Sequence, residues 1–254
     1  MNDHILALAR EYAPCYLYEY DVMRRQVETL RQAFPRYDLL YSIKANPFPP
    51  VVRALAGLGL GADAASAPEV LLSRKCGMAK ADIFFSAAGK SDAALEAAWD
   101  EGEIIADSLG EVERIGALCE KKGQRRAIGV RMNPDFGMGG TVGGPSKFGI
   151  NEEDLPQLKA LLDTLPVTVE GIHVHLKSQN LDADVLGGCY RDSWALAKRV
   201  RDTLECGMRY VNFGSGVGVA YDEAFEQPLA LERLRTYTDA IAADNDATLR
   251  ARLM

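Results

Sequence analysis

Short apolar runs alternate with stretches of helical periodicity along almost the whole chain. Val27, Leu30 and Phe34 recur at helical spacing behind Asp21, a candidate cap, so a helix is expected over 22–34, ended by Pro35. An apolar strand is expected next, over 39–43, stopped by Asn46-Pro47. Pro49-Pro50 then opens a helix to 58, and a Gly/Ala-rich strand covers 59–66, ending at a cap before a helix to 75. The alternation continues with strands at 82–86, 103–108, 127–133, 169–175 and 210–213. Helices are expected from the Ser91 cap around Trp99, over 111–122, 152–165 and 183–204, and from about 229 into the 240s.

Steady strand–helix alternation implies parallel strands with helical crossovers, either an open doubly wound sheet or a closed barrel. The barrel is favoured because polar residues gather at the far end of strand after strand: Lys44, Asp63, Ser86, Asp107, Arg131, His173, His175 and Ser215. In a (β/α)8 barrel these ends share one mouth, where such residues read as a site rather than as packing. Seven strands are counted, and the eighth is expected to be missing or to begin at Leu253-Met254. The chain therefore reads as a barrel over 21–254, cut short before or within its last strand. Residues 1–20 form a separate segment: a short helix and a strand-like piece, 15–18, with no partner inside a barrel.

A length of 254 residues permits one such barrel, and 48% hydrophobic with 26% charged residues is an ordinary globular composition. The net charge of -7 is spread along the chain, which argues against a nucleic-acid groove or an anionic membrane surface as partner. Cys15, Cys76, Cys119, Cys189 and Cys206 lie far apart and read as reduced thiols of a cytoplasmic protein. No signal-like start and no apolar run of membrane-spanning length is seen.

Lys44 keeps the strand phase of Leu40 and Ser42, which would place it on the interior face of the sheet. Desolvation favours the neutral form of an amine, the form that attacks a carbonyl to make a Schiff base, whereas a rim lysine simply keeps its head in water. Gly214-Ser215-Gly216 follows a strand directly, and closely spaced small residues let backbone N–H groups approach a phosphate; a packing turn is the alternative. The spacing of the glycines does not fit a dinucleotide fingerprint. His173 and His175 share a strand face. A zinc site would need a further ligand such as Asp63 or Asp107, since His4 is the only other histidine. Otherwise His175 offers a flat ring to a flat cofactor, and His173 is satisfied by hydrogen bonds in a polar interior.

Six motifs occur in order: Tyr41-Ser42-Ile43-Lys44-Ala45-Asn46; Gly61-Ala62-Asp63-Ala64-Ala65-Ser66 with Glu69; Val130-Arg131-Met132-Asn133-Pro134; Ser146-Lys147-Phe148-Gly149-Ile150; His173-Val174-His175-Leu176-Lys177-Ser178-Gln179; and the glycine loop from 214. Together they resemble the barrel domain of the fold type III pyridoxal-phosphate decarboxylases, which share an alanine-racemase-like architecture. Within that group the chain is most similar to diaminopimelate decarboxylases. The resemblance implies pyridoxal 5′-phosphate bound covalently to Lys44, stacked on His175, with its phosphate on Ser178 and the backbone of Gly214, Ser215 and Gly216. It implies that Asp63, Glu69 and Arg131 organise the pocket, and that loss of CO2 leaves a carbanion delocalised into the cofactor ring. The implied substrate is an amino acid, such as meso-diaminopimelate in lysine biosynthesis or another basic amino acid of polyamine or specialised metabolism.

The resemblance also implies a C-terminal β-domain beyond Met254, joined by residues 1–20, and a homodimer of the complete protein. Two departures stand out: Lys177 and Ser215 occupy positions where the family usually has glycine. A non-catalytic pyridoxal-phosphate protein of cofactor homeostasis, a racemase of the same fold and a metal-dependent barrel hydrolase are the competing readings.

Overall fold

The computed structural model describes residues 3–222, 227–244 and 250–253. Two helices, α1 (Asp3–Tyr12) and α2 (Tyr20–Ala33), precede the first strand. Then β1 (Asp38–Ser42), α3 (Pro49–Gly57), β2 (Gly61–Ala64), α4 (Ala67–Lys75), β3 (Ile83–Phe85), α5 (Asp92–Ala98), β4 (Glu103–Ala106) and α6 (Leu109–Lys122) follow in alternation. After β5 (Arg126–Asn133) and the two-residue β6 (Ile150–Asn151) come α7 (Leu155–Thr164), β7 (Val167–His173), α8 (Ala183–Leu204), β8 (Tyr210–Asn212), α9 (Leu231–Ala243) and β9 (Arg250–Leu253).

All pairings between these strands are parallel, and they run in the order β4-β3-β2-β1-β9-β8-β7-β5-β6, with β4 also pairing β5. Since β6 touches only β5, the other strands close a ring, the expected β/α barrel. Closure depends on β9, which pairs Asp38↔Arg252 with β1 and Tyr210↔Arg250 with β8. The eighth barrel strand thus starts at Arg250, earlier than the apolar Leu253 indicated, because hydrogen bonding on both edges fixes it.

The barrel interior is filled by Leu40, Phe84, Ile105 and Tyr210, contributed by β1, β3, β4 and β8. Tyr210 takes the space that a side chain at Gly129 or Gly171 would need, so the two glycines let its ring cross the barrel. Outside the ring, Val52, Val70, Leu95, Ile115, Leu158 and Val200 turn the apolar faces of the helices onto the strands.

Serine caps act as expected at the starts of α4 and α5, where Ser66 and Ser91 accept the N–H groups of Glu69 and Ala94. Asp21 caps nothing; α2 starts two residues before Val22, with Glu19 at its N-cap. Residues 15–18 form no strand, and Tyr16, Leu17, Tyr18 and Tyr20 are exposed. Among the described residues no helix is long and apolar enough to cross a membrane.

Candidate active site

Parallel strands put every C-terminal strand end on one rim, and all the residues singled out from sequence lie there. Lys44 does not continue β1. The backbone leaves strand geometry after Ser42 and enters a 3-10 turn, Ile43–Ala45, so the phase argument that placed Lys44 on the interior face lapses. Lys44 is exposed at the mouth. Its turn is held by Tyr41, whose hydroxyl donates to the Asn46 carbonyl at 3.2 Å.

Beside it, on β2, Asp63 is 2% exposed and accepts a hydrogen bond from Ser86 Oγ at the end of β3. Burial pushes its carboxyl up from the usual range, while the Ser86 bond and the Lys44 charge pull it back. Glu69 closes the start of α4, where its Oε2 accepts the Ala65 N–H at 2.7 Å.

The next sector is a network of buried side chains. Arg131, on β5, sits 3.4 Å from Asp107 Oδ1, and its guanidinium lies 4.7 Å above the Phe148 ring. Asp107 is raised by burial and held down by the Gly149 N–H and by Arg131. Beneath it lies an ion pair that sequence reasoning missed. Lys90 Nζ donates to Glu111 Oε2 at 2.8 Å and to the carbonyls of Ala87 and Ile105 at 2.6 and 2.5 Å. Glu111 in turn accepts the N–H groups of Lys90 and Asp107 at 3.1 and 2.7 Å. Both side chains are out of contact with water, at 0% and 1% exposure, yet every one of these polar atoms has a partner. Glu111 could have been found three residues after the Ser108 cap; Lys90, in a Gly-Lys-Ser turn, gives no signal.

The β7–β8 sector is built differently. His173 ends β7 and is 2% exposed; among the described residues neither of its ring nitrogens finds a partner, contrary to the hydrogen-bonded histidine expected. Burial, followed by the charge of Arg131, holds it well below the usual imidazole range. His175, just beyond the strand, is half-buried and also lowered by burial, so it is neutral near pH 7. Its Nδ1 lies 2.6 Å from the Gly214 carbonyl, which can only accept, so the proton is on Nδ1 and the lone pair on Nε2. Ser178 Oγ, 3.2 Å from Nε2, is therefore the donor there.

Gly214, Ser215 and Gly216 are all left-handed, with φ of 60°, 57° and 80°. A Cβ at Gly214 would fall 2.5 Å from the Val174 carbonyl oxygen, and one at Gly216 equally close to that of Lys177. Ser215 is the one non-glycine of the three, and left-handed backbone is unfavourable for it. Its carbonyl accepts the Tyr190 hydroxyl at 2.7 Å, and its own Oγ accepts the Val217 N–H at 3.1 Å. Tyr190, buried on α8 and stacked 5.1 Å from Phe213, is a third residue the sequence did not flag. The loop is tied further by Gly214 N–H to Asn212 Oδ1 at 2.9 Å and by Asn180 N–H to the Gly216 carbonyl at 2.9 Å.

Residues 20–250 match the family described as "Pyridoxal-dependent decarboxylase, pyridoxal binding domain". The chain belongs to this family. Among curated relatives of the decarboxylase family, L-glutamyl-[BtrI acyl-carrier protein] decarboxylase of Niallia circulans is 31% identical over 95% of this chain and 59% of its own length. Diaminopimelate decarboxylase of Aquifex aeolicus is 28% identical over 85% of this chain and 53% of its own. The diaminopimelate decarboxylase of Helicobacter pylori, solved with L-lysine, shares the fold at a TM-score of 0.84 and 23% identity, over 99% of this chain and 65% of its own. The chain thus spans a little over half to two-thirds of the length of these decarboxylases.

The residues on the rim suit the family's cofactor. The tight left-handed turn, with no room for a Cβ at Gly214 or Gly216, is a backbone cradle of the kind anions occupy. The imidazole ring of His175 stands beside it, and the buried, unpartnered ring nitrogens of His173 lie at the end of β7. Among the described residues, no group of three His, Cys, Asp or Glu side chains is placed to hold a metal ion.

Proposed function

We propose that the complete protein decarboxylates an amino acid on pyridoxal phosphate, with this chain supplying the cofactor-binding barrel. The observation that carries the reading is His175, joined through Nδ1 to the phosphate-type loop at Gly214 and through Nε2 to Ser178. In this reading Lys44 would hold the cofactor covalently, the N–H groups of Ser215 and Gly216 with Ser178 Oγ would take its phosphate while the Gly214 N–H stays on Asn212 Oδ1, and His175 would pack on its ring. Ser178 has one proton to donate, so taking an anion would release His175 Nε2. Asp63 and Arg131 would border the pocket from β2 and β5. The cofactor supplies an electron sink for the pair left behind when CO2 departs.

The substrate supported by the relatives is a diamino acid such as meso-diaminopimelate, since diaminopimelate decarboxylases recur among them. A second reading, an aminoacyl group tethered to a carrier protein, is favoured by the Niallia circulans relative. The exposed aromatic residues at 16–20 support packing of this segment against the remainder of the protein or a second subunit. Five free cysteines agree with a reducing, cytoplasmic location.

Adding pyridoxal phosphate to the purified chain, reducing with borohydride and mapping the peptides tests the reading. A visible absorbance band and a reduced adduct on Lys44, both lost in Lys44→Ala, are expected. A folded chain that forms the adduct at another lysine, or none, overturns it.

A further inference from the structure

The turn that carries Lys44 is pinned by Asn46, just after it. No ion pair among the described residues holds the Lys44 ammonium, and the nearby Asp63 carboxylate accepts from Ser42 and Ser86. The direction of the lysine side chain is therefore set by the backbone of the Ile43–Ala45 turn. Pro47 keeps the residue before it out of the helical region, so Asn46 is extended, at φ -159° and ψ 98°, and the turn stops there. Its N–H donates back to the Ile43 carbonyl at 3.1 Å, while its own carbonyl accepts the Tyr41 hydroxyl. The side chain is used at both ends. Oδ1 accepts the N–H of Phe48, the N-cap of α3, at 3.1 Å, and Nδ2 donates to the Tyr18 hydroxyl at 3.0 Å.

Among these partners Tyr18 is the one that the barrel does not supply. It lies 28 positions before Asn46, in the stretch between α1 and α2. Its ring packs on Phe48, with centroids 5.8 Å apart, so the phenol is held at ring and hydroxyl alike although the residue is 42% exposed. A surface tyrosine left to itself keeps its rotamer freedom and its hydroxyl in water. This one gives up both to meet the two residues that follow the Lys44 turn, whereas its neighbour Tyr16 is 90% exposed.

We propose that Tyr18 and Asn46 are positioning residues for Lys44: a segment outside the barrel clamps the turn whose backbone aims the lysine. The inference rests on the reading of Lys44 as the residue that holds the cofactor, and adds what keeps that lysine in place. Both residues act through the backbone of the turn.

The test compares wild type with Tyr18→Phe, which removes the hydroxyl and keeps the ring on Phe48, with Asn46→Ala and with the double variant. Hydrogen exchange of the residue-46 amide, measured before cofactor is added, reads the order of the turn. Trapping with pyridoxal phosphate and borohydride reads Lys44, with the exposed Lys75 as internal reference. Tyr18→Phe is expected to speed that exchange about fivefold and to weaken adduct formation at Lys44 by up to the same factor, while Lys75 labelling and the melting temperature hold. Asn46→Ala should do more, and Tyr18→Phe should add nothing to it. Exchange untouched by Tyr18→Phe overturns the proposal, as does faster exchange with an unchanged Lys44 adduct. An equal fall in Lys75 labelling overturns it too, since that marks general loosening. If wild type itself takes no adduct at Lys44, the cofactor reading fails and the exchange comparison decides the clamp alone.

Discussion

The two sides of the rim solve one problem by different means. From β2 to β5 the polar groups are side chains buried in pairs: Asp63 with Ser86, Lys90 with Glu111, Asp107 with Arg131. From β7 to β8 the work falls to backbone, a left-handed turn held by Tyr190, Asn180 and Asn212 around one half-buried histidine. Charges out of water must be paired, which makes the first side rigid and intolerant of single changes. A backbone cradle needs only its conformation, so the second side is sensitive to sterics and single hydrogen bonds.

The largest effect should come from splitting the buried pair. Glu111→Leu leaves Lys90 charged and unpaired and is expected to cost about 3–5 kcal/mol in urea unfolding, whereas Lys90→Met with Glu111→Leu should recover most of it. A double variant as unstable as the single would show that Glu111 matters chiefly as acceptor for the Asp107 N–H. Next comes Gly214→Ala, which combines positive φ with a Cβ pressed on Val174 and His175. We expect a loss of about 1–3 kcal/mol by the same measurement, with cofactor uptake lost as well.

A smaller change, Tyr190→Phe, removes one hydroxyl from a partly buried acceptor and should cost about 1 kcal/mol. If Tyr190 holds the cradle, pyridoxal phosphate should weaken more than pyridoxal; equal weakening would reduce it to a packing residue. The smallest effect is a pH slope. An unfolded His173 takes a proton near its ordinary 6.5, while the folded one is held well below it. The unfolded state therefore binds more protons, and stability falls as pH drops below about 6.5. His175 adds in the same direction, and His173→Gln should flatten the melting-temperature profile there. Asp63 has the opposite sign: its raised carboxyl loses stability as pH climbs above the ordinary 3.8 toward its own value.

Strand–helix alternation made the barrel legible, because helical crossovers impose a period that hydrophobic positions must follow. What the pattern could not carry was the Arg250–Leu253 strand, whose arginines break any apolar run and whose place is fixed by partners on both edges. Lys44 illustrates a local limit: strand phase ends at Ser42, two residues short of it, and the residue is exposed rather than interior. Glycine-rich turns announce themselves, so the 214–216 loop and the histidine motif were found. Lys90 and Tyr190 were not, since a buried lysine has the same local sequence as a surface one and a tyrosine at helical spacing reads as core.

Ring closure by β9 also has a consequence during synthesis. The strand that joins the two edges lies more than two hundred positions after β1, so an emerging polypeptide carries Lys44 and the β8 loop on opposite margins of an open sheet until almost all of these residues have left the ribosome. Both margins are then available to other strands, which makes the interval before closure the period when edge-to-edge association competes most with folding.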